Sequence, residues 1–150
     1  MSVYAESSAV LAWLLDEASG SDVREVLMAS DFVVASDLTL IECDRVVLRA
    51  VALGELTEAE AADRRAHLMT AAAHWHVLRI SPEIVERARQ PFPGEPVRTL
   101  DAIHLASALM ADHAFGVVTR ANASESPGPP SQPEGDRAAH ASATTARGAT

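Results

Sequence analysis

Three carboxylates stand at places in the chain where a solvated face does not account for them: Glu6, Glu42 and Asp101. Glu6 falls where a short apolar run gives way to a helical pattern. Glu42 lies beside the apolar positions of a long helical segment. Asp101 sits in the opening turn of Thr99-Leu-Asp-Ala-Ile-His-Leu-Ala-Ser-Ala-Leu109. Acids gathered around one cleft repel one another unless a cation joins them. The chemistry they could share is therefore coordination of Mg²⁺ or Mn²⁺, hard ions that take oxygen ligands, with water and phosphate oxygens completing the shell. Each acid also has a plainer reading. Asp101 could complement a helix dipole, Glu6 could be a first-turn helix acid, and Glu42 could pair with Arg45 or Arg49 on its own helix.

Other reactive side chains carry less. His74 and His76 flank Trp75 at a spacing of two and read as strand-edge or packing residues. His104 follows Asp101 by three residues and is expected to pack near it. Cys43, between Glu42 and Asp44, reads as a small buried hydrophobe with no cationic neighbour to activate it. One cysteine permits no internal disulfide. The motifs GxSxG, the P-loop and GxGxxG are all missing from the sequence.

The elements that must position these acids alternate in type. Ser2 to Ala5 reads as a buried strand, and Ser7 or Ser8 caps a helix bearing Val10, Leu11, Leu14 and Leu15, which Gly20 ends. Ser21 to Ala29 reads as a second helix and Phe32 to Ala35 as a β-rich run. Ser36 or Asp37 opens a long helix whose apolar members include Leu38, Ile41, Leu48 and Val51, closed by Gly54. Thr57 with Glu60 forms a capping box for a helix to about Ala73. His76 to Ile80 is strand-like, Ser81-Pro82 starts a short helix, Pro91 to Pro96 is a loop, Thr99 to Met110 is helical, and Gly116 to Thr119 is a last strand. Strands separated by helices predict an α/β fold, a three-layer α/β/α domain with a short parallel sheet, because parallel pairing needs a crossover. Ligands of such sheets gather beyond the carboxyl ends of the strands, where Glu6 must fall.

Composition bounds the rest. The 150 residues suit one domain, and 48% apolar content can bury a core although aromatics reach only 4%. The net charge of −9 combines 21 acids with 12 basic residues, every one of them arginine. Such a chain is poorly suited to tight, non-specific polyphosphate binding, which depends on basic side chains releasing counterions. If it acts on nucleic acid, metal ions or local arginines must offset the repulsion. No apolar run approaches the ~20 residues of a membrane span, and no basic region precedes the first apolar stretch, so a cytoplasmic protein without membrane association is expected. Residues 121–150 hold no apolar type larger than alanine and four of the eight prolines, and are expected to form a disordered C-terminal tail after a folded domain over 1–120.

Taken together, Val3-Tyr-Ala-Glu-Ser-Ser-Ala-Val10, Ala35-Ser-Asp-Leu-Thr-Leu-Ile-Glu-Cys43 and above all Thr99-Leu-Asp-Ala-Ile-His-Leu-Ala106 resemble the PIN-domain ribonucleases, specifically the VapC-like toxins of type II toxin–antitoxin pairs. The resemblance spans Met1 to Thr119. It implies a metal-dependent endoribonuclease using Mg²⁺ or Mn²⁺, an RNA substrate, a cognate antitoxin over the active-site groove, and a homodimer. It also implies roles: Glu6, Glu42 and Asp101 as the successive catalytic acids and metal ligands, Glu42 the weaker ligand, with Ser8 and Thr99 as hydroxyls positioning substrate or water.

Two departures from the family pattern accompany these roles. The first acid is usually Asp, and Glu6 carries one methylene more. A fourth Asp, then a helix and a strand, normally follow a segment like Val117-Val-Thr119. Here Arg120-Ala-Asn122-Ala-Ser124 stands instead, in a composition that a GC-rich gene read out of frame or truncated near codon 120 yields. The resulting expectation is an enzyme of impaired activity. The alternative is a degenerate, non-catalytic PIN domain that dimerises or binds an antitoxin. A phosphoryl-transfer protein on a similar sheet fits less well, since the chain offers no lysine.

Overall fold

The computed structural model describes residues 1–116. Among them, β1 (Ser2–Tyr4), β2 (Phe32–Ser36) and β3 (His76–Leu78) form a parallel sheet in the order β1-β2-β3. Val3 pairs with Val33 and Ala35 with Val77. The helices are α1 (Ser7–Leu14), α2 (Gly20–Ala29), α3 (Asp37–Ala52), α4 (Glu58–Ala72), α5 (Pro82–Ala88) and α6 (Thr99–Phe115). The expected α/β architecture with a short parallel sheet is what forms. The last strand expected at Gly116 to Thr119 and the tail expected over 121–150 lie outside the described residues, apart from Gly116. No described helix is long and apolar enough to cross a membrane.

Local chemistry explains most boundaries. Thr57 accepts from the Glu60 backbone N–H at 3.2 Å while the Glu60 carboxylate accepts from the Thr57 N–H at 2.8 Å, closing the expected capping box. Pro82 occupies the first turn of α5, where its missing N–H costs nothing. Gly54 and Gly116 end α3 and α6 with φ of 73° and 63°, in the left-handed region that glycine enters without strain. α6 runs a turn beyond the expected Met110 because Ala111 keeps it packed on Val34.

Two expectations are corrected. Gly20 does not end the first helix, which stops at Leu14; it opens α2. Its role is close approach, since a Cβ there would lie 2.4 Å from the Ala12 carbonyl oxygen. That neighbour is backbone and cannot step aside, so Gly20→Ala is expected to cost about 2 kcal/mol of stability, as overpacking does. Urea denaturation checks this, and a loss below ~0.5 kcal/mol would show that α1 and α2 separate freely. The second correction concerns α3. Ile41 and Leu48 are exposed, and the buried positions are Leu38, Thr39, Cys43, Val47 and Ala50. β2, α1 and α4 pack on that face.

The main core joins Val3, Ala5, Val10, Leu14, Val33, Ala35, Cys43 and Leu68, with Trp13 and Trp75 half-buried against it. A second cluster of Ile84, Phe92, Ala102 and Ala106 fastens α5 to α6. α6 also packs on β1 and β2. The start of α1, the start of α3 and the first turns of α6 are thereby drawn to the carboxyl ends of the first two strands.

Candidate active site at the carboxyl ends of the strands

β1 ends at Tyr4, and two residues later Glu6 adopts extended backbone as the N-cap of α1. The residue is half-buried, and its carboxylate accepts a short hydrogen bond from the Ser8 hydroxyl. Ser8 thus contacts the first of the three acids. Burial, joined by the nearby charge of Glu6, pushes the Tyr4 phenol above its ordinary value, an effect partly offset by hydrogen bonds to hydroxyls including that of Ser36.

Glu42 lies in the second turn of α3 with its side chain 22% exposed. It does not pair with Arg45 or Arg49. Its Oε2 accepts from the Ser7 hydroxyl at 2.7 Å and lies 2.6 Å from His104 Nε2. Ser7 is also 3.3 Å from the same ring nitrogen. The opposite nitrogen, Nδ1, is 3.1 Å from the Tyr4 hydroxyl, which donates to Ser36 Oγ at 3.0 Å. Thr39 completes the layer by donating to the Ala5 carbonyl at 3.0 Å. A chain of polar contacts thus runs from Ser36 through Tyr4 and His104 to Glu42 and Ser7. Among the described residues every buried side-chain nitrogen and oxygen has a partner.

This geometry is not a nucleophile relay. In a Ser-His-acid triad the hydroxyl and the acid occupy opposite ring nitrogens. Here both face Nε2 and a phenol faces Nδ1.

Asp101 stands exposed in the first turn of α6, three residues before His104, and Thr99 is exposed as the first residue of that helix. Neither makes a side-chain hydrogen bond among the described residues. The structure therefore links Glu6 with Ser8, and Glu42 with Ser7 and His104. It sets Asp101 beside that network through α6 without tying it in. No group of three His, Cys, Asp or Glu among the described residues converges closely enough to cage an ion. The donor chemistry still suits a hard cation. All three acids offer oxygen, none is paired with an arginine among the described residues, and Mg²⁺ needs only one or two protein carboxylates beside its waters.

Sequence reasoning missed Tyr4, took Ser7 for a possible helix cap where Glu6 caps α1, and expected His104 beside Asp101 where its ring meets Glu42, Tyr4 and Ser7. Helical spacing holds the signal for two of them. Ser7 shares the buried face of Val10 and Leu14, at i, i+3 and i+7, and His104 shares that of Ser107, Ala108 and Ala111. A polar residue on a buried helical face needs a partner, and these two share Glu42. His76 behaves as expected, packing between Phe32 and Phe115 with ring centroids 4.7 and 5.2 Å away.

Cys43 is fully buried, as expected of a small hydrophobe. Burial, reinforced by Glu42 and Asp44, pushes its thiol up to about 12. Above pH 9 the unfolded thiol loses its proton while the native one keeps it, so the unfolded state binds fewer protons and stability falls. The expected slope reaches ~1.4 kcal/mol per pH unit between the unfolded and native values. Melting curves from pH 8 to 11 check this, and the decline should be shallower in Cys43→Ala, with Tyr4 responsible for the remainder.

No curated protein matches the chain. The family model described as "PIN domain" matches residues 3–120, which include all three acids and the helices that carry them. With a parallel sheet and that match over most of the chain, the chain belongs to the PIN domain family, whose members are generally divalent-metal-dependent nucleases.

Proposed function

We propose that this protein is an endoribonuclease toxin of a VapBC-type toxin–antitoxin pair, cytoplasmic and homodimeric, dependent on Mg²⁺ or Mn²⁺. The observation that carries this reading is the set of carboxylates, without arginine partners among the described residues, toward the ligand-binding end of a parallel sheet. Glu6, Asp101 and, more weakly, Glu42 would hold the ion. When bound, it would supply Lewis-acid activation of water and neutralise charge at an RNA phosphodiester.

The chain's own residues perform the rest. Ser8 steadies Glu6 by donating to it. Ser7 donates to the inner oxygen of Glu42, leaving the other without a hydrogen-bond partner among the described residues. Asp101 and Thr99, both exposed, face an incoming phosphate from the start of α6. The acids repel a bare polyanion, so substrate binding is coupled to cation loading.

The domain proposed spans 1–120. The first acid is a glutamate and no acid follows Thr119 until Glu125. Both features support impaired turnover, and the second also supports the rival reading, a non-catalytic PIN domain that binds an antitoxin or a second copy. Incubating the purified chain with structured RNA separates the two. Slow cleavage that requires Mg²⁺ and stops with EDTA supports the enzyme, and no cleavage at any Mg²⁺ or Mn²⁺ concentration supports the binding module.

A further inference from the structure

We infer that His104 is a positioning residue that, together with Ser7, locks Oε2 of Glu42 inside the crevice so that only Oε1 is offered to a cation. The inference rests on the proposed metal site and specifies how one of its ligands is presented. The imidazole is 6% exposed and both of its nitrogens are engaged, Nδ1 by Tyr4 at 3.1 Å and Nε2 by Glu42 at 2.6 Å. The ring cannot turn without breaking both contacts, and its own burial leaves little water to replace them. Tyr4 is fixed in turn by Ser36, the buried residue at the junction of β2 and α3.

The orientation of Glu42 is thus set by groups from β1, β2, α1 and α6 rather than by its own helix. Two contacts on one carboxylate oxygen leave the other as the outward donor, which favours single-oxygen coordination over bidentate coordination. Partners of this kind typically change metal affinity by about 10- to 100-fold when removed.

The experiment measures Mn²⁺ affinity of the full chain by electron paramagnetic resonance, together with ¹⁵N shifts of the His104 ring in metal-free protein. His104→Ala should weaken Mn²⁺ about tenfold. His104→Gln, which places an amide N–H near the position of Nε2, should restore most of the loss. Tyr4→Phe, which deletes one hydroxyl and keeps the ring, should weaken binding in the same direction by a smaller factor. Without metal, Glu42→Gln should shift the His104 ring nitrogens. Equal Mn²⁺ affinity in wild type and folded His104→Ala would overturn the positioning role while leaving the metal site standing. Should the alanine variant fail to fold, unchanged affinity in Tyr4→Phe with ring shifts indifferent to Glu42→Gln would overturn it instead. Absence of Mn²⁺ binding by the wild type would overturn the metal site and this role with it.

Discussion

Asp101→Asn is expected to abolish the rise in melting temperature that Mg²⁺ or Mn²⁺ gives the wild-type chain and to lower RNA cleavage by about 100-fold. Asparagine keeps the shape of the side chain and removes its charge. A cation bound only by the folded state stabilises it by mass action, about 2.7 kcal/mol at a concentration 100 times the dissociation constant. Loss of the charged ligand forfeits that increment. In cleavage, ~100-fold corresponds to ~2.7 kcal/mol of transition-state stabilisation. The plainer role, complementing the dipole of α6, predicts something smaller and different in kind. The variant would then lose about 0.3–1 kcal/mol in metal-free buffer and keep its full response to metal. Thermal melts of both proteins with and without Mn²⁺ decide the matter, because the two readings differ in which condition shows the loss.

The largest gain in rate is expected from a new ending grafted after Thr119. A chain continued there by an acid, a helix and a strand of the family pattern should cleave RNA about 100-fold faster than the native sequence, since misplacement of reacting groups by ~1 Å can cost that much. Glu6→Asp alone should help only modestly. Its carboxylate is already steadied by Ser8, and shortening it by one methylene corrects a single ligand. Rates for the native chain, Glu6→Asp and the continued chain, each with and without Asp101→Asn, test this. Family-like activity in the native chain would refute impairment. A folded but inactive continued chain would favour the binding module.

The first expectation depends on acids that stand out in the order of residue types along the chain, the second on the family pattern that the resemblance implies. Alternating strand and helix periods dictated a parallel α/β sheet, the Thr57–Glu60 pair marked its helix start, and Cys43, a lone thiol between two acids, read as a small buried hydrophobe. The position of Glu6 just past the first strand followed from where such sheets bind ligands.

Tertiary packing decided the partners. Glu42 and Arg45 are close in sequence and on one helix, which made their pairing a reasonable expectation. The burial of Ser7 and His104 against the same crevice gave Glu42 two contacts that no local spacing could reveal, since they span 35 and 62 residues. Gly20 reads locally as a helix stop, and only the approach of Ala12 shows why glycine is needed at the start of the next helix. Ile41 and Leu48 satisfy a helical apolar pattern but face outward, because β2, α1 and α4 pack on the face of α3 that carries Leu38, Cys43 and Val47. Local sequence fixes what a segment prefers to be and which groups it carries. Which groups meet depends on how much room neighbouring elements leave, and that is a property of the assembled core.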